Sequence, residues 1–145
     1  MKQTYFNYIL RPNNKIDDFF VGKSNINAFN ILIKDCLNEN NFFLTGPNKS
    51  GKTHLCSIWK KKFNAIYYDA NFKEIINSKN NIIIEDIFLD INEENIFHII
   101  NHCSLYKLKI LVTSTKSPNE YNFKLQDLSS RLLSFLNFTI DLPED

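Results

Sequence analysis

Arginine is nearly missing from this chain. Arg11 and Arg131 are the two among 17 basic residues in 145, and the rest are lysines. Glycine is almost as scarce, with three residues. The formal net charge is only +1, so no global field draws the chain to nucleic acid or to an acidic membrane surface. Long apolar runs are lacking. Ile82–Ile84 is typical of the longest, against the roughly 20 residues that a bilayer span requires. Asn7 and Arg11 interrupt any apolar stretch near Met1, so no secretory signal is expected. Cysteines are few and odd in number: Cys36, Cys56 and Cys103 have no close pairing, which reads as reduced thiols in a cytoplasmic protein rather than a disulfide framework. What is present is ordinary for a globular chain: 43% hydrophobic and 23% charged residues exclude a mainly disordered one. At this length a single domain is the default.

Apolar runs alternate with helical periods. Met1 to Asn14 is polar and aromatic, ends in Arg11-Pro12-Asn13-Asn14, and reads as an extended arm. Ser24 can cap a helix over 25–37, with Ile26, Phe29, Ile33 and Leu37 on one face. Short strands are expected at 42–45, 65–68, 82–84, 109–113 and 138–140. Helices are expected at 52–62, 93–105 and 125–133. The continuous β-branched run Ile82-Ile83-Ile84 suits a strand covered on both faces. This alternation argues for an α/β fold, an open and mostly parallel sheet with helices on both faces. Ligands of such sheets sit at the carboxyl ends of the strands.

One stretch carries phosphate chemistry. Gly46-Pro47-Asn48-Lys49-Ser50-Gly51-Lys52-Thr53 matches G-x-x-x-x-G-K-[ST] in full, between an apolar strand and a helix, which is the context the motif needs. A loop of this kind turns its backbone N–H groups around phosphates, and the helix N-terminus adds partial positive charge. Two of the three glycines fall at the two required positions, where a side chain would block the backbone. Lys52 would reach the β- and γ-phosphates, and Thr53 would place its hydroxyl on Mg²⁺. The plainer alternative is a glycine turn before a lysine-rich helix.

Three further groups follow strands or sit on a short helix. Glu85-Asp86 closes the isoleucine strand, with Glu85 in the metal position and Asp86 in the water-orienting position. Asp86 is one methylene shorter than glutamate, so slow intrinsic hydrolysis is expected. The alternative is that these acids simply end a strand. Ser114 and Thr115 close the next strand, where a hydroxyl can contact the γ-phosphate or the attacking water, or merely cap the strand end. Arg131 lies on an amphipathic segment, Leu125–Leu132. Its rigid guanidinium fork suits a phosphate in a way that lysine does not reproduce, and an arginine finger offered to a neighbour's nucleotide would fit. An exposed helix arginine is the alternative.

Together, Asp18–Asn25, Gly46–Leu55, Ile84-Glu85-Asp86 and Asp127–Leu132 resemble the bacterial replication initiator DnaA and its AAA+ relatives. The Glu-Asp pair followed by Asn95–Asn101, and the closing Ile140–Asp145, are similar to the Hda-type regulators of that family. The resemblance implies a P-loop NTPase, an AAA+ large subdomain over 15–145 with a five-stranded sheet. It implies ATP or ADP bound by Gly46 through His54, with Mg²⁺ on Thr53 and Glu85. The expected catalytic set is Glu85, Asp86, Thr115 and Arg131. Phe19–Gly22 lies where the family contacts adenine. Gln3, Tyr5 and Phe6, in an arm over 1–14, match the place of a short peptide that docks on the DNA polymerase sliding clamp. The implied role is regulation of replication initiation, with hydrolysis of DnaA-bound ATP promoted at the clamp. DnaA and the clamp would be partners, and oligomers would form through the AAA+ interface. The family's helical lid would begin after Asp145, so a large subdomain without lid, weak nucleotide affinity and at most a weak ATPase are expected. No basic recognition helix is visible, so little sequence-specific DNA binding is expected.

Other signals carry less. Asn14-Lys15-Ile16-Asp17 has the guanine-reading N-K-x-D pattern but precedes the phosphate loop. His98 and His102 are four apart, yet no glutamate base and no third zinc ligand accompany them. Lys60-Lys61-Lys62 reads as a helix end complementing the dipole. A stand-alone P-loop ATPase or small-molecule kinase is the competing class, although kinases of that size usually gather several arginines around the transferred phosphate. A pseudo-ATPase adaptor that binds its partner without nucleotide is the other alternative.

Overall fold

The central strands of this chain are buried on both sides of the pleat, and that dictates the architecture. The computed structural model describes residues 29–34, 39–48, 50–69 and 71–140. In chain order these form a π-helical turn (Asn30–Lys34), β1 (Asn41–Thr45), α1 (Lys52–Phe63), β2 (Ala65–Tyr67), α2 (Phe72–Asn77) and β3 (Asn81–Ile84). There follow α3 (Glu93–Tyr106), β4 (Ile110–Ser114), a 3₁₀ turn (Pro118–Glu120), α4 (Gln126–Ser134) and β5 (Leu136–Thr139). The five strands lie in the order β2-β3-β4-β1-β5, and every pairing is parallel.

The pleat sends successive residues to opposite faces, and helices cover both. Phe42, Leu44, Ile83 and Leu111 pack on one face with Leu55, Ile58 and Trp59 of α1 and with Phe29, Leu32 and Ile33. Phe43, Ile82, Ile84, Ile110 and Val112 pack on the other with Ile96, Ile99 and Ile100 of α3 and with Leu128 and Leu132 of α4. Trp59 is fully buried, edge-on to Phe42 at 6.3 Å. Among the described residues no helix is long and apolar enough to cross a membrane.

Helix ends follow local chemistry. Gly51 at φ 99° precedes α1, and Asn64 at φ 52° ends it after Lys60, Lys61 and Lys62, which complement the dipole. Asn92 caps α3, its side chain accepting from Asn95 N at 3.1 Å. Three expectations are corrected. In the helix expected over 25–37, Phe29 is α-helical but Asn30–Lys34 is wound as a π-turn, with bonding one residue wider than in an α-helix. A short helix, α2, appears where none was expected, held by Asn71, which accepts from Glu74 N and donates to Glu74 Oε2. The last strand begins at Leu136 rather than Phe138, because Phe42 and Phe43 of β1 already pair with Leu136 and Asn137.

Strand order fixes where a ligand can sit. β1, β4 and β3 are consecutive neighbours. Thr45 is level with Ser114, and Ile84 with Val112. The segments leaving these three strands therefore converge at one carboxyl edge.

Candidate phosphate and magnesium site

The loop between β1 and α1 is built by close approach. Gly46 N donates to Ser114 O at 3.0 Å, and Ser50 N donates to Pro47 O at 3.3 Å. A Cβ on Gly46 would lie 2.6 Å from Ile140 O and 2.9 Å from Ser50 Oγ, so only glycine lets the chain after β5 pack here. Gly51 serves differently, since its φ of 99° is open to few other residues. Lys49 lies outside the described residues. Lys52 is buried, and its Nζ donates to Gly46 O and, at 2.8 Å, to Pro47 O. The ammonium thus sits within the curl of the loop. Burial pushes its pKa down, while Asp86, Cys56 and Glu85 pull it back up.

Thr53, on the first turn of α1, donates from Oγ1 to Glu85 Oε2 at 3.2 Å. Burial raises the pKa of Glu85. The Thr53 hydrogen bond opposes that rise, neighbouring Asp86 adds to it and Lys52 lowers it. Asp86 takes a left-handed conformation at φ 48°, which aspartate tolerates better than most residues. Its N donates to Thr113 Oγ1 at 3.1 Å, and Ile87 N donates to Thr113 O at 3.0 Å. The turn after β3 is thereby pinned to the end of β4.

These groups surround a cavity of about 610 Å³, bordered by Asn48, Gly51, Lys52, Thr53 and His54 on one side and by Glu85, Asp86 and Thr113 on the other. That size suits a small-molecule or nucleotide ligand. Thr113 was not singled out from the sequence. A hydroxyl residue directly after the aliphatic run Ile110-Leu111-Val112 was its available signal. Ser114 and Thr115 border an adjoining cavity of about 290 Å³ with Asn48, Asp86 and Lys116. Ser114 Oγ there accepts from Lys116 N at 3.0 Å, and Thr115 is exposed.

The donors fit a magnesium phosphate. Thr53 and Glu85 offer hard oxygen atoms side by side, and Mg²⁺ typically takes one or two protein ligands and fills its shell with water and phosphate oxygens. Among the described residues no cluster of three or more His, Cys, Asp and Glu forms an all-protein cage. Ser50 Oγ is buried in the loop without a partner among the described residues.

Arg131 stands apart from both cavities. It is half-buried on α4, with its guanidinium 5.8 Å from the Phe97 ring centroid and Nη2 donating to Asn101 Oδ1 on α3. His102 Nε2 donates to Ser78 O at 2.7 Å, and His98 is exposed beside Phe72 and Phe97.

No protein-family profile matches the chain. Solved structures do. AMPPCP-bound DnaA from Aquifex aeolicus superposes with a TM-score of 0.75 at 19% identity, over 92% of this chain and 52% of that one. Domain III of the Thermotoga maritima replication initiation protein DnaA gives 0.76 at 18% identity, over 92% and 69%. The fold is that of the DnaA AAA+ domain. A structure of DnaI shares this AAA+ fold more distantly, with a TM-score of 0.64 at 13% identity over 94% of this chain and 90% of that one. The chain spans about half the length of the Aquifex DnaA structure. Within this DnaA-type AAA+ fold, the expected α/β class and five-stranded sheet are both present. The adenine-side segment Phe19–Gly22, the clamp candidates Gln3, Tyr5 and Phe6, and the Asn14–Asp17 pattern lie outside the described residues.

Proposed function

We propose that this chain is an AAA+ protein of DNA replication that holds ATP or ADP with Mg²⁺ and promotes hydrolysis of ATP bound to DnaA at the sliding clamp. The observation that carries the reading is the convergence of Lys52, the Thr53–Glu85 pair and Thr113 on one cavity at the carboxyl edge of a DnaA-type sheet. That one DnaA of this fold is bound to AMPPCP supports a nucleotide as the ligand.

In this reading the loop amides and Lys52 take the phosphate tail, with Lys52 released from the carbonyls of Gly46 and Pro47 to meet it. Thr53 and Glu85 hold Mg²⁺. When bound, the metal neutralises charge on the β- and γ-phosphate oxygens. Asp86 orients water but carries a short side chain, so turnover by the chain itself is slow. The nucleotide mainly orders the protein. Arg131 is supplied in trans, to the site of a neighbouring subunit. Gln3, Tyr5 and Phe6 dock on the clamp, the two aromatic rings filling an apolar pocket. The setting is the cytoplasm.

Turnover of DnaA-bound ATP with clamp and DNA tests this directly. The parent protein accelerates it, and Arg131→Ala loses that acceleration by a factor on the order of 10³, the scale of an arginine finger. Stimulation by Arg131→Ala equal to that of the parent contradicts the proposal.

A further inference from the structure

The geometry points to Asn101 and Phe97 as positioning residues that hold Arg131 oriented, without a carboxylate counter-charge, for the terminal phosphate of a nucleotide bound by a neighbouring subunit. This rests on the reading of Arg131 as a finger.

Three residues of α3, each four apart, face the segment that carries Arg131. Glu93, on the first turn, accepts from Leu125 N at 2.8 Å and from Lys124 N at 3.1 Å through Oε1, and again from Lys124 N at 3.2 Å through Oε2. Leu125 is the N-cap position of α4 and has no side-chain cap of its own, and Glu93 ties the chain entering the helix to α3 by taking the amides of Lys124 and Leu125. One turn on, the Phe97 ring lies 5.8 Å from the guanidinium carbon of Arg131. A further turn on, Asn101 Oδ1 accepts from Arg131 Nη2. A guanidinium only donates, so the amide must present its oxygen. Thus α3 sets both where α4 begins and how its arginine lies.

The acceptor's chemistry is the informative part. Among the described residues the guanidinium's hydrogen-bond partner is a neutral amide, where a carboxylate would make the stronger, charge-assisted bond. An amide fixes the plane of the guanidinium without cancelling its charge. Among the described residues nothing else takes the remaining N–H groups, which leaves them for a forked contact with phosphate oxygens. The ring beneath restricts the side chain further, so less rotamer freedom is lost when the phosphate arrives. A purely structural contact would work as well with aspartate at position 101.

The test measures DnaA-bound ATP turnover, with clamp and DNA, against concentration of the full chain. It compares the parent with Asn101→Asp, Phe97→Leu and Arg131→Ala, and records the melting temperature of each. Asn101→Asp keeps the shape but adds a carboxylate that pairs with Arg131. It is expected to lower the maximal rate about tenfold or more, with the half-saturating concentration and melting temperature unchanged. Added salt then recovers part of the rate by screening the pair. Phe97→Leu keeps apolar bulk and gives a smaller loss of maximal rate. Parent-like rates for both variants while Arg131→Ala is inactive reduce the contact to packing and overturn the inference alone. Losses that track a lowered melting temperature overturn it as well. A parent-like rate for Arg131→Ala removes the finger reading and the inference together.

Discussion

Thr53 Oγ1 donates to Glu85 Oε2 across 3.2 Å, joining the first turn of α1 to the end of β3 over 32 residues of chain. Thr53 is exposed, and Glu85 lies just beyond the paired strand. Their proximity brings two hard oxygen donors to one point of the cavity, beside Lys52.

Glu85 is therefore expected to act in opposite directions on stability and on the proposed Mg²⁺ binding. Its raised pKa means that the folded chain holds this proton more tightly than the unfolded chain. The carboxylate costs stability as pH rises through the window from the ordinary glutamate value to the raised one, and that cost persists above it. Glu85→Gln removes the cost, so the ligand-free variant is at least as stable as the parent at neutral pH in urea unfolding. Mg²⁺ binding runs the other way. Glu85→Gln weakens Mg²⁺-dependent ADP binding by roughly tenfold or more, since a charge-assisted contact contributes about 1.5–3 kcal/mol. In the parent, Mg²⁺ affinity is expected to fall as pH is lowered through the raised pKa, a decline that should set in at higher pH than for an exposed glutamate. Mg²⁺ titrations at fixed ADP over a pH series measure this. Unchanged Mg²⁺ dependence in the variant counts against the assignment.

The two loop glycines fail differently when substituted. Gly46→Ala drives a methyl against the backbone of Ile140, which cannot swing aside, and should cost about 1–3 kcal/mol. Gly51→Ala forces a left-handed backbone on an L-residue and should cost about 1–2 kcal/mol. Urea midpoints give both values. A parent-like midpoint for Gly46→Ala means that the approach of Ile140 is not tight in solution.

Cys56 and Cys103 are fully buried. Burial, then the charges of Glu85 and Asp86, pushes the Cys56 thiol well up, and burial pushes Cys103 up to about 12. Neither offers a thiolate at neutral pH. In a Cys36→Ser variant, a disulfide reagent such as DTNB should find two thiols after denaturation and none at once in native buffer. Slow native reaction then tracks opening of the core. Immediate reaction of either thiol in the native protein contradicts the described packing.

The sheet's design was legible where side-chain chemistry repeats. Ile82-Ile83-Ile84 reads as a strand covered twice, and the structure sends Ile83 to one face and its two neighbours to the other. The glycine-rich turn and Lys52 are equally plain, because the motif states its own geometry. Short or marginal elements are not. Helix α2 has six residues, too few for a period, and only Asn71 followed by Glu74 betrays it. Strand β5 is an edge with mostly exposed residues, so no apolar run marks its start. Thr113 shows why strand ends matter. A sequence does not place the last residue of a strand to within one position, and one position decides which hydroxyl borders the cavity. The partners of Arg131 are 30 and 34 residues away in the chain and carry no local signature.

The grip on the phosphate tail is the centre of the account, and calorimetric titration of ADP with Mg²⁺ into the folded chain tests it most directly, with Lys52→Ala titrated in parallel. The account predicts saturable one-to-one binding by the parent, lost in Lys52→Ala while cooperative melting is kept. Absence of binding by either ADP or ATP to cooperatively melting parent protein, or equal affinity in the two proteins, contradicts it.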